Sequence, residues 1–217
     1  MDGMFIAGTE RWKITLVEPE SLRIALYVRD VAGLEPATEP PIPPLDPPAD
    51  LWPVWSKRPV EVPSSAGVRL LGGRDVNLEI ASEQWARWWR HALEVGAGAI
   101  DDFRPPGFLA LSGVPDLRVL MQRHYQNACL WSDGINDDPR IRGAHSAPGQ
   151  GLNALVRDLP SLLGRKPVPF NVRITVIGVQ TKRAWVLAPD HLMLTRRLIA
   201  DLDNAVDWLR PRILALA

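Results

Sequence analysis

The residues of this chain best suited to chemistry are few: His91, His124, His145, His191, the single thiol Cys129, and acids at Asp133, Asp137 and Asp138. His124 and Cys129 lie on one helical pattern, five positions apart. At 3.6 residues per turn that is about 500°, so the two side chains diverge by roughly 140°. A Cys–His nucleophile pair or a shared metal within that helix is therefore disfavoured. Pairing of either residue with His91, His145 or His191 depends on the fold. Cys129 reads as a buried structural thiol. His124, on an apolar face, reads as a hydrogen-bonded core histidine, and with His145 it is only a weak catalytic candidate.

The run Asp133-Gly134-Ile135-Asn136-Asp137-Asp138 has the composition of a hard-cation loop. It lacks the alternating oxygen ligands and the closing bidentate Glu that such a loop needs. Turn chemistry accounts for the same residues. No metal or cofactor is assigned. There is no Gly-rich phosphate loop, no G-x-G-x-x-G after a strand, no G-x-S-x-G elbow and no H-E-x-x-H helix in the sequence.

The most suggestive ligand segment is 140–151. Arg140, Arg142, Ser146 and Gln150 could bind a small anion, with His145 as acid or base. Gly143, Gly149 and Gly151 would let backbone amides approach it. A helix starting just afterwards would favour the negative charge.

Two other patterns invite a binding reading. Arg and Trp interleave over Trp85–Arg90, but Trp85, Trp88 and Trp89 share one helical face that the Arg residues do not join, so core packing is the better account. Pro40, Pro41, Pro43, Pro44 and Pro47 form overlapping P-x-x-P motifs that could dock on an aromatic groove. Their flanking residues Glu35, Glu39, Asp46 and Asp50 supply no basic anchor. The basic pairs Lys182-Arg183 and Arg196-Arg197 face Asp201, Asp203 and Asp207 in the count and read as solvated surface.

The elements that would position these groups follow from periodicity. Trp12–Glu18 alternates, and 22–28 alternates after a turn, which predicts a hairpin, with a helix from Pro19 as the competing reading. Residues 36–63 contain ten Pro in 28 positions. Such a segment cannot hold a helix or a central strand. Ile42, Leu45, Trp52 and Trp55 within it suggest a strap laid on the domain, with Trp52 and Trp55 as candidate partner contacts. Val68–Leu71 and Val76–Ile80 predict a second hairpin. Ser82 is expected to cap a helix, and a further helix is expected from Pro115 to Trp131. Residues 132–151 read as a long loop, and 152–163 as a helix bent or broken at Pro160. Asn171–Val179 and Ala184–Leu187 predict a C-terminal hairpin. Pro189-Asp190 is read as opening a helix through Ile199, and a last helix runs from Asp203.

These elements give an α+β fold. The expected sheet is antiparallel, built from N-terminal and C-terminal hairpins, with four to five helices in a single domain over 1–217. The chain has 217 residues, 46% hydrophobic and 23% charged, which excludes collagen-like, coiled-coil and largely disordered classes. Its 25 basic and 25 acidic side chains cancel, which disfavours a nucleic-acid coat. One Cys excludes an intrachain disulfide, and no apolar run reaches the roughly 20 residues of a membrane span. The N-terminus lacks the features of a signal peptide, so a cytoplasmic protein is expected.

Two functions remain. The preferred one is a non-enzymatic subunit or protein-interaction module of a cytoplasmic bacterial assembly, with a protein partner or a second copy as ligand. The alternative is an enzyme or binding protein for a small anionic ligand at 140–151. The strap reading has its own consequence: Trp52→Ala or Trp55→Ala should each cost about 3 kcal/mol in urea unfolding, the usual scale for truncating a packed aromatic.

Overall fold

The computed structural model describes residues 4–6, 12–49, 76–95, 104–137 and 139–217, with side chains at 13–49, 76–95, 104–137 and 151–217. The elements are β1 (Met4–Ile6), β2 (Trp12–Val17), α1 (Glu20–Val31), α2 (Leu78–Val95), α3 (Pro115–Asp137), α4 (Pro139–Leu163), β3 (Phe170–Ile177), β4 (Ala184–Ala188), β5 (His191–Thr195), α5 (Arg196–Ile199) and α6 (Leu202–Leu216). The fold is α+β. The chain forms two compact units, one of residues 1–23 and 135–217, the other of 24–134.

The first unit is built on a five-stranded sheet in the order β1-β2-β3-β5-β4. It is mixed, not antiparallel as expected. β1 and β4 pair antiparallel at the two edges, while β2–β3 and β3–β5 are parallel. The reason lies in His191–Thr195. All five of its residues are buried. A strand covered on both faces reads as a continuous apolar run, which periodicity cannot separate from a helix. The run expected to open a helix is thus a central strand. It inserts between β3 and β4, so β3 does not form the expected hairpin with 184–187.

One face of this sheet carries Ile14, Val172, Ile174, Leu192 and Leu194. They pack against Leu152, Leu155 and Leu159 of α4 and Leu209 and Ile213 of α6. The last helix runs through Pro211. Helix α4 also overturns an expectation: residues 132–137 end α3, and 139–151 belong to α4, so no long loop occupies 132–151. The Gly, Asp and Pro residues there lower helix propensity, but apolar packing of the flanking turns overrides a weak local preference. Pro160 neither ends nor splits α4: it removes the bond to the carbonyl of Val156, while Leu155, Val156 and Leu159 hold that turn in the core.

The expected partner strand 22–28 is also helical. Leu22 through Arg29 are all buried, Arg23 and Arg29 included. The alternation seen in the sequence came from arginines that look like solvent positions but are buried. Pro19 O accepts the first helical bond from Arg23 N at 3.2 Å, the place where a proline suits a helix start.

The second unit packs around tryptophans. Trp85, Trp88 and Trp89 lie buried on one face of α2, as their spacing indicates. Trp85 and Trp89 stack with centroids 4.9 Å apart, and Trp85 Nε1 donates to Ala25 O at 2.9 Å. Gln84 Oε1 accepts from Leu117 N at 2.9 Å, satisfying an orphan donor in the first turn of α3. Asn77, not Ser82, caps α2, accepting from Glu79 N and Ile80 N at 3.0 and 3.1 Å. Helix α2 therefore begins at Leu78, inside the expected second hairpin, whose other strand, 68–71, lies outside the described residues.

Helix α1 ends at Gly33, φ +64°, where Leu34 N closes back on Arg29 O at 2.9 Å. The chain then runs non-helically over 34–48, within reach of α1. Arg29 Nη1 and Nη2 donate to Ile42 O and Pro43 O at 3.0 and 2.8 Å, and Asp30 accepts from Leu45 N at 2.7 Å. Prolines offer no N–H, so the carbonyls of this segment need side-chain donors. Residues 50–63, with Trp52 and Trp55, lie outside the described residues.

The parallel strands of the first unit are tied at their C-terminal ends by one ion pair. Arg196, directly after β5, reaches Glu18, directly after β2; its Nε–Oε2 distance is 3.4 Å, and Nη2 also donates to Oε1. The side chains are 6% and 10% exposed. β3 lies between, and Gly178 follows it. A Cβ there would sit 2.6 Å from Arg196 Nη2. Gly178→Ala should displace the guanidinium from Glu18 and lower stability by about 3 kcal/mol, the scale for breaking a buried pair. Urea denaturation of Gly178→Ala, Glu18→Ala and the double variant checks this; the double should cost much less than the sum of the singles.

Candidate functional site

Of the residues singled out for chemistry, His91, His124 and Cys129 belong to the second unit and His191 to the first. His124 and Cys129 are half-buried on α3 in the second unit, and His91 is exposed on α2. Burial first, and then the Arg123 charge, holds the His124 pKa below its usual value. The side chains of Arg140, Arg142, His145, Ser146 and Gln150 lie outside the described residues. Their backbone is helical. Gly151 has a packing role, since a Cβ there would meet Leu202 of α6 at 2.9 Å. Among the described residues no group of three or more His, Cys, Asp and Glu is placed to hold a metal ion. No helix among them is long and apolar enough to cross a membrane.

Among the described residues, His191 is a histidine built into a polar cluster. It lies on the sheet face opposite the α4–α6 core, 5% exposed and directly across from Arg173 in the parallel register of β3 and β5. Arg173 Nη2 is 3.0 Å from Nδ1, and Thr175 Oγ1 is 2.9 Å from Nε2. A guanidinium only donates. Nδ1 is therefore the acceptor, and the ring carries its proton on Nε2, which donates to Thr175. His191 in this state cannot take a proton from Thr175, so the trio is not a Thr–His nucleophile pair. Burial, then the Arg173 charge, lowers the His191 pKa to about 4, against a smaller upward pull from Asp190. The imidazole is neutral at pH 7 and its nitrogens serve the hydrogen bonds that fill this face.

The expected solvated pair Arg196-Arg197 divides. Arg197 is exposed, and Arg196 is the buried partner of Glu18. Lys182 is exposed and meets Asp201 at 2.7 Å. Sequence reading missed Glu18, Gly178 and Arg196 as a unit, since 178 residues separate the charges. The local signal was a charged residue close behind the apolar run Leu192–Leu194.

A groove of about 430 Å³ runs along α4 and α6 in the first unit. Leu155, Leu162, Leu202 and Val206 supply its apolar lining, and Asp158, Asp203, Asp207 and Arg210 its charged side chains. Leu162 is 50% exposed. An apolar strip with a charged rim is the anatomy of a protein-binding surface more than of a catalytic cleft. Comparison of the chain with protein-family models, curated proteins and solved structures finds no match.

The His191 cluster makes stability depend on pH. Between about 6.5 and about 4 the unfolded chain binds a proton that the folded ring excludes. The contribution is therefore complete above pH 6.5, is lost as pH falls toward 4, and levels off below that. Its full size is about 3 kcal/mol. His191→Gln, which keeps an acceptor and a donor but does not titrate, should flatten this slope in urea titrations repeated across the window.

Proposed function

We propose that this chain is a non-enzymatic protein-interaction module, a subunit that receives an amphipathic helix of a protein partner in the α4–α6 groove. The groove carries the reading. Its strip of Leu155, Leu162, Leu202 and Val206 suits the apolar stripe of a helix laid along it. Three carboxylates against one guanidinium favour a partner with Lys or Arg beside that stripe. A small anionic ligand at 140–151 is the weaker alternative, because Gly143, Gly149 and Gly151 lie in a helix, where amides beyond the first turn already have carbonyl partners.

Affinity capture with the wild-type chain and with Leu162→Asp distinguishes the readings. The wild type should retain a specific protein, and Leu162→Asp should lose it at least tenfold with an unchanged melting temperature, because Leu162 is half-exposed and adds little to the core. Equal recovery by both proteins removes the groove from the account.

A further inference from the structure

Among the described residues, one edge of the sheet is formed by β4 with no strand beyond it. β4 is an edge strand, and its sequence Ala-Trp-Val-Leu-Ala holds no charge, no proline and no glycine. Proteins normally blunt an exposed edge with Lys, Pro or inward charges. Here the only such device is a bulge between Val186 and Ala188. Val186 is 55% exposed, and Trp185 is half-buried.

Which backbone groups face outward follows from the ladder. Thr195 N donates to Arg183 O at 2.9 Å, so Arg183 and, two residues on, Trp185 turn their N–H and C=O toward β5. Ala184 and Val186 turn theirs away. Among the described residues no other backbone group bonds them.

We propose that β4 pairs antiparallel with β4 of a second copy, forming a two-fold dimer with a sheet continuous across both chains. Antiparallel self-pairing must place one residue opposite itself, and only residues of like backbone direction can face each other. The regular stretch before the bulge, Ala184–Val186, is centred on Trp185. With the dyad there, Ala184 of each copy exchanges both backbone bonds with Val186 of the other. Trp185 faces its own counterpart in a non-hydrogen-bonded pair, the closer of the two spacings and a favourable place for cross-strand aromatics. The stretch Ala184–Val186 carries no charge, so no like charges meet across the dyad and a copy of it matches each of these positions in backbone direction. One short strand buries less than the roughly 1,000 Å² of a stable interface. The dimer is therefore weak and concentration-dependent.

Sedimentation equilibrium of the full chain from about 10 µM to about 1 mM, a range that brackets weak association, should show the mass rising from 24.1 kDa toward twice that value. Val186→Pro removes an N–H that points away from β5, so it should keep the monomer circular-dichroism spectrum and stay monomeric. In a Cys129→Ser background, Trp185→Cys should cross-link two copies under mild oxidation, since the facing Cα atoms of such a pair lie about 4.5 Å apart, within disulfide range. Leu187→Cys in the same background should cross-link at least tenfold more slowly. A wild type that stays at 24.1 kDa throughout overturns the proposal. So does a folded Val186→Pro that associates like the wild type. If Val186→Pro does not fold, the two cysteine variants decide: equal cross-linking rates overturn the dyad.

Discussion

The Arg196–Glu18 ion pair is the constraint on which the first unit depends. Its charges flank the central strand, one directly after β2 and one directly after β5. Neighbouring strands stand about 4.8 Å apart, so the arginine must cross about 10 Å over β3. The crossing is possible only because residue 178 has no side chain. A carboxylate and a guanidinium withdrawn from water are costly unless paired. With the ends of β2 and β5 apart but still buried, both charges would be unmatched.

The same economy of polar groups recurs through the chain. Arg29 and Asp30 satisfy a proline-rich segment that cannot satisfy itself. Gln84 supplies an acceptor to the start of α3, and Arg173 with Thr175 occupies both nitrogens of His191. Residues that would be candidates for chemistry by type are instead used to complete hydrogen bonding in buried places. Two surfaces of the described residues stand open to a ligand: the groove on α4 and α6 and the edge of β4.

Much of the fold was legible because it rests on local repetition. The tryptophan face of α2, the start of α3 at Pro115, the strand at 12–17 and the β-rich run from 171 are all set by spacing within a few residues. The misreadings of 22–29 and 191–195 share one cause. Residues 22–29 and 191–195 are buried on all sides, and all-round burial erases the contrast between inside and outside that periodicity records. The candidate site was legible only as residue types. The glycines of 140–151 suggested an open loop, yet their turns are helical and Gly151 serves to bring Leu202 close.

By itself the sequence determined the α+β class, the core faces of α2 and α3, the proline-rich character of 36–63 and the neutrality of the surface, since each depends on composition or on neighbours in the chain. Only the tertiary structure decided that the sheet is mixed, that β5 lies inside it, that His191 is spent on Arg173 and Thr175, and that Glu18, Gly178 and Arg196 act together. Those outcomes depend on contacts between residues far apart in the chain, and no local period encodes which strand will lie beside which.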